Sequence, residues 1–168
     1  MKKHRITAIL LVTVLAIFAV VACACIDKPT SPELEGLTLP ELADNQMAIV
    51  IKNGEKDFST FVVTFGEGTA DFSTVEDVLA HLLAQGVITL DWSDSAYGKT
   101  LNSIGSIQPD ASKNQFVTYL TTVESDFGTW AGVTTYTVGD VKLVSSGLGI
   151  SSMTAEPGAV ILFELATY

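Results

Sequence analysis

The chain has 168 residues, a formal net charge of −10 and 48% hydrophobic residues, and its two cysteines stand close together near the N-terminus. That length suits one domain with a sizeable core, and the acidic balance repels a phosphate backbone, which excludes nucleic acid as a sensible partner. With no cysteine elsewhere, the fold must hold by packing rather than by disulfides.

The N-terminus reads as an address. "MKKHR" is cationic, and "ITAILLVTVLAIFAVVA" follows as an unbroken apolar run of 17 residues from Ile6 to Ala22, the layout of a secretory signal peptide. The run sits at the bottom of the range that spans a bilayer as a helix. Its end, "VVAC", resembles the lipobox of bacterial lipoproteins, which implies cleavage after Ala22 and a lipid on Cys23. A second register, "CAC", would place the lipid on Cys25, and an uncleaved anchor helix is a third alternative. A disulfide between Cys23 and Cys25 strains the required geometry across a one-residue spacer, and two cysteines without a nearby histidine fall short of a zinc set. The expected location is therefore the extracytoplasmic face of a bacterial membrane, held by the lipid. Loss of residues 1–22 removes Lys2, Lys3 and Arg5 and leaves six basic against 19 acidic residues, a net charge of −13 over 146 residues.

Residues 23–46 follow, and "IDKPTSPELEGLTLPELADNQ" has three prolines and no apolar periodicity. The expectation is an acidic tether, about 70 Å long when fully extended. The folded domain is expected over 47–168. "MAIVIK" and "FSTFVVTF" read as two strands around Asn53-Gly54, a hairpin whose loop exceeds two residues. "STVEDVLAHLLAQG" predicts a helix. Ser73 and Glu76 have capping-box spacing, Val75, Val78, Leu79, Leu82 and Leu83 share a face, and Gly86 closes it. Five further β-rich runs come next: "VITLDW", "KTLNSIGSIQ", "NQFVTYLTTV", "TTYTVGDVKL" and "AVILFEL". One amphipathic helix on a mixed sheet, an α+β fold, is the economical result.

Four stretches, "STVEDVLAHLL", "YGKTLNSIGSI", "QFVTYLTTV" and "GLGISSMTAEPGAVILFEL", resemble the DUF4430 family, which is similar to the C-terminal domain of the cobalamin carriers transcobalamin and intrinsic factor. The likeness runs from about Met47 to Tyr168. Phe116 stands where that family usually has tryptophan, Met153 stands near its usual tyrosine, and Pro157-Gly158 replaces its usual Gly-Asp. The sequence "ESDFG" at 124–128 takes the place of its usual Asn-Gly. The resemblance implies a β-grasp-like domain that contributes one half of a ligand clamp, with cobalamin or a related corrinoid as the ligand and a transporter or surface protein as recipient.

The residues alone offer little for catalysis. His81 lies among apolar helix positions and is expected to point to the polar side. No serine has a nucleophile-elbow context. "DWSDSAYG" lacks the glycine and terminal glutamate of a calcium loop. The chain is expected not to be an enzyme and to need no resident cofactor or metal. Aromatic side chains in polar, glycine-containing loops are the better signal, because rings there can form a binding face. Trp92, Tyr97, Trp130 and Tyr136 are the candidate ligand residues, with the alternative that they plug the end of a small sheet. Phe116 and Tyr119, three apart on one strand, must face opposite sides. Two function classes remain: a lipid-anchored ligand binder, or a surface interaction module without a small-molecule site. Convergence of the four aromatics on one concave surface distinguishes them.

Overall fold

The computed structural model describes residues 31–66 and 72–168; the apolar run 6–22, Cys23 and Cys25 lie outside the described residues. The first hairpin forms from the two β-rich runs around Asn53-Gly54. β1 (Gln46–Lys52) pairs antiparallel with β2 (Phe58–Thr64) from Gln46↔Thr64 to Lys52↔Phe58. The loop between them is residues 53–57, closed by Asn53 N–H donating to the Asp57 carbonyl at 2.8 Å.

The helix α1 (Val75–Ala84) starts one residue later than its capping pattern suggested. Thr74 is the N-cap, and the box is formed by Thr74 and Asp77 rather than by Ser73 and Glu76. Asp77 Oδ2 accepts from the N–H groups of Ser73 and Thr74 at 3.0 and 2.9 Å. The Thr74 backbone N–H foremost holds the Asp77 carboxyl below its ordinary value. Glu76 is thereby free for another role. At the far end Gly86 takes φ +67°, and the N–H groups of Gly86 and Val87 bond the carbonyls of Leu83 and Leu82, a Schellman closure that a β-carbon would strain. Val75, Val78, Leu79 and Leu82 are buried as expected, whereas Leu83 lies at the flank and is exposed. His81 is half-buried, with its ring edge-on to Phe72 at 5.0 Å, so the solvated histidine of the sequence pattern is corrected.

Then follow β3 (Leu90–Ser95), β4 (Gly98–Ile104), β5 (Gln115–Thr121), β6 (Thr135–Val138), β7 (Val141–Ser145) and β8 (Val160–Thr167). "TTYTVGDVKL" is two strands, β6 and β7, joined at Gly139-Asp140. Six strands make one mixed sheet in the order β2-β1-β8-β5-β7-β6, while β3 and β4 form a separate ribbon. Only the central β1–β8 pair is parallel among the named strands of the large sheet, with Ala48 opposite Val160 and Ile51 opposite Phe163. Among the described residues the architecture is a mixed sheet with one α-helix, compatible with α+β.

Both faces of the central strands are covered, which explains why β1 and β8 read as almost continuous apolar runs. On one face, Met47, Ile49 and Ile51 of β1 and Ile161 and Phe163 of β8 pack with the helix stripe, with Leu101 and Ile104 of β4, and with Ile150 and Met153. On the other face, Ala48, Val50, Leu120, Leu143, Val160 and Leu162 pack with Leu34 and Leu37.

That second cluster corrects the tether. From Ser31 onward the acidic, proline-containing segment is a strap across the sheet. Leu34 and Leu37 are only 6% and 8% exposed. Leu34 N–H donates to the Thr137 carbonyl at 3.0 Å, and Thr137 N–H donates to the Pro32 carbonyl at 3.0 Å, so the strap closes the outer edge of β6. Burying a leucine contributes about 1.5–3 kcal/mol, enough to hold a segment with no regular structure of its own.

Candidate ligand groove

The aromatic residues do not meet on one surface. Trp92 sits on β3 rather than in a loop, half-buried against the helix-side core, with Lys99 Nζ 5.8 Å from its ring. Tyr136 is on β6 and packs with the opposite, strap-side cluster. There its hydroxyl donates to Glu164 at 3.4 Å, beside the Lys52–Glu164 ion pair at 3.0 Å. Burial, followed by the Glu164 charge, pushes the Tyr136 phenol up. Trp130 is 52% exposed in the β5–β6 connection, and its ring lies over Gly128, where a β-carbon would come within 2.2 Å of it. Trp92 and Tyr136 thus lie on opposite faces of the large sheet, so the expected single concave surface is not formed.

Tyr97 alone of the four lines a hollow among those described. It occupies the tip of the β3–β4 hairpin, where Ser95 Oγ donates to the Gly98 carbonyl at 2.8 Å and accepts from Tyr97 N–H at 3.2 Å. Gly98 has φ +97°, and a β-carbon there would reach within 2.4 Å of Ser151 Oγ, so glycine is required on both counts. Lys99 N–H donates to Ser151 Oγ at 2.8 Å, and Ser151 in turn donates to Glu76, the carboxylate released by the shifted capping box. The hairpin is therefore tied to the first turn of α1. The backbone of Tyr97 is pinned while the residue is 90% exposed.

Across from this tip runs β5. Tyr119 packs on the helix-side core, its ring edge-on to Phe163 at 6.0 Å, and Phe116 is exposed near the stretch of the β5 edge that β7, paired only at Leu120 and Thr121, leaves open. Phe116 packs against Tyr168 with ring centres 5.5 Å apart. Two adjoining hollows lie between β4 and β5. One, of about 260 Å³, is lined by Tyr97, Lys99, Tyr119 and Gly149 among others. The second, of about 350 Å³, extends past Asn102, Pro109 and Gln115. They share Thr100, Leu101 and Phe116 and form one groove.

The groove offers ring faces, an ammonium and a phenol. Lys99 Nζ is 2.6 Å from Asp94 Oδ1, and this hydrogen bond raises the lysine above its ordinary value. Burial raises the Tyr119 phenol, which keeps it a neutral hydrogen-bond donor at physiological pH. A larger hollow of about 460 Å³ lies between the β1–β2 loop and the end of α1. Three of its polar side chains satisfy one another: Ser106 Oγ donates to Asn53 Oδ1 at 2.6 Å, and Asn53 Nδ2 donates to Ser59 Oγ at 2.9 Å. Among the described residues no cluster of three or more His, Cys, Asp or Glu side chains could hold a metal ion. No described helix is long and apolar enough to cross a membrane.

The sequence reading missed Lys99, Phe116 and Tyr119 as groove residues. Nothing local marks them, since β4 and β5 come from different sheets and meet only through tertiary packing.

No family model matches the chain, and no curated protein is similar to it. Among solved structures, a protein of Ruminococcus gnavus ATCC 29149 to which metal binding is ascribed superposes with a TM-score of 0.49 at 12% identity, covering 74% of this chain and 98% of that one. Haptocorrin in complex with Cbi superposes with a TM-score of 0.43 at 10% identity, over 76% of this chain. The match spans 26% of haptocorrin's length.

Proposed function

We propose that this chain is a lipid-anchored, extracytoplasmic binding protein without catalytic activity, which holds a flat amphipathic ligand in the groove between β4 and β5 and passes it to a transporter or surface partner. The observation that carries the reading is Tyr97, a ring left 90% exposed on a rigidly tied hairpin beside Phe116, Leu101 and Tyr119. A ring held out by a fixed backbone loses little rotamer entropy when it stacks on a ligand. Cobalamin or a related corrinoid is the first ligand to test, on the strength of the DUF4430-like stretches. The finer β-grasp-like assignment is supported by a first hairpin, a crossing helix and a last strand parallel to β1.

A corrinoid is larger than either hollow and would be covered on one side only, so its affinity is expected to be about micromolar. Titration of the purified chain with cobalamin, followed by corrinoid absorbance and protein fluorescence, tests this. Tyr97→Ala and Phe116→Ala should each weaken binding about tenfold while melting is unchanged, and Trp92→Phe should leave affinity intact. Absence of binding at millimolar cobalamin overturns the corrinoid assignment. The rival class, an interaction module, is favoured by two observations: Trp92, Tyr97, Trp130 and Tyr136 do not converge on one surface, and the outer edge of β2 is uncovered among the described residues.

A further inference from the structure

The two outer edges of the large sheet are treated differently. The β6 edge is closed by the strap through Pro32 and Leu34. On β2, Asn53 N–H bonds Asp57 and Phe65 N–H bonds Asn45, so the odd-numbered residues exchange main-chain bonds with β1. The N–H and C=O groups of Phe58, Thr60, Val62 and Thr64 consequently point outward, and they meet no partner among the described residues. Natural edges are blunted by charge, proline, a bulge or a cover. "FSTFVVT" has neither charge nor proline, its register with β1 is unbroken over seven residues, and Val62 is 43% exposed.

We infer that β2 is a pairing surface for a second copy of this chain, antiparallel about a two-fold axis at Phe61, with Thr60 opposite Val62 and Phe58 opposite Thr64 of the second copy. This register sets every outward N–H against an outward C=O. A copy of the same strand matches the edge in length and brings no charge to the seam, although each chain carries a net charge of −10. The strap on β6 blocks the head-to-tail alternative of β2 on β6, so the pairing closes as a dimer instead of growing into a filament. The inference is independent of the groove, which lies against β5, separated from β2 by β1 and β8.

Sedimentation velocity of the purified chain from about 1 to 100 µM should show a concentration-dependent dimer, as expected for a single strand pair of modest area. Hydrogen exchange supplies the site. Amides of Thr60 and Val62 should gain protection of tenfold or more as concentration rises, while those of Ser59 and Phe61, bonded to β1, stay protected throughout. Thr60→Pro removes an outward N–H without touching the β1 ladder, and Val62→Lys adds an edge charge; either should give a folded monomer. A wild-type monomer at 100 µM overturns the inference. So does a dimer in which the amides of Thr60 and Val62 exchange freely, or one that persists in a folded Thr60→Pro variant.

Discussion

If residues 31–45 form a structural strap, truncating its two buried leucines must destabilise the whole domain. Leu34 and Leu37 are 6% and 8% exposed and pack on Val50, Leu120, Leu143, Val160 and Leu162. Leucine-to-alanine changes in a core cost about 2–5 kcal/mol. A strap lying over a sheet can settle partly into the space left, so the low end applies, about 2 kcal/mol for each. The double variant Leu34→Ala/Leu37→Ala should therefore lose about 4 kcal/mol, with some departure from additivity because the two share neighbours. In a domain of this size that corresponds to a fall in Tm of about 12 to 20 °C. Urea unfolding followed by circular dichroism measures it directly. Glu35→Ala is the control: its ion pair with Lys56 is exposed on both sides, and its loss should move stability by less than about 0.5 kcal/mol. A double variant as stable as this control would refute the strap and restore the free tether.

Three other predictions follow from the helix and the N-terminus. Leu79→Ala, at a fully buried position of α1, should cost about 3 kcal/mol in denaturant melts, while His81→Ala, which loses the ring contact with Phe72 and an exposed hydrogen bond to Gln85, should cost about 1 kcal/mol. Asp77→Ala should lower stability near neutral pH by about 1 kcal/mol or less, since the carboxylate is largely in solvent. Because the folded state holds Asp77 below its ordinary value of 3.8, its contribution is complete above that pH and disappears as pH falls through the lower folded value; the variant and wild type should converge there. Cys23→Ala should abolish incorporation of a labelled fatty acid in a bacterial host, and undiminished labelling would move the lipid to Cys25 or remove it.

What was legible in the sequence was what repeats. The β-rich runs "MAIVIK" and "FSTFVVTF" around Asn53-Gly54 and the 3.6-residue stripe from Val75 to Leu82 report two strands and one packed helix face, and these elements stand where the pattern put them. The strap was hidden because it crosses the sheet without regular structure, so Leu34, Leu37, Leu39 and Leu42 contact the core at intervals no period describes. Trp92 closes the β-rich run "VITLDW" but looked like the border of a polar loop because Asp91, Ser93 and Asp94 surround it. β3 belongs to a two-stranded ribbon with one solvated face, and that face takes polar residues. The capping register slipped because both Ser73–Glu76 and Thr74–Asp77 fit the spacing. Nothing near Glu76 in the sequence indicates that Ser151 will claim its carboxylate.

The parallel pairing of β1 with β8 also governs when this molecule can come into being. Ala48 has no strand on that side until Val160 arrives, and Ile161, Leu162 and Phe163 supply the middle of both cores. A chain still emerging from the ribosome, or one cut short before the last strand, holds a hairpin, a helix and a ribbon with nothing to join them. Contacts of such long sequence separation form late and fold slowly. The domain therefore stays unfolded until β8 has been made, and a product truncated before that strand is left for proteolysis.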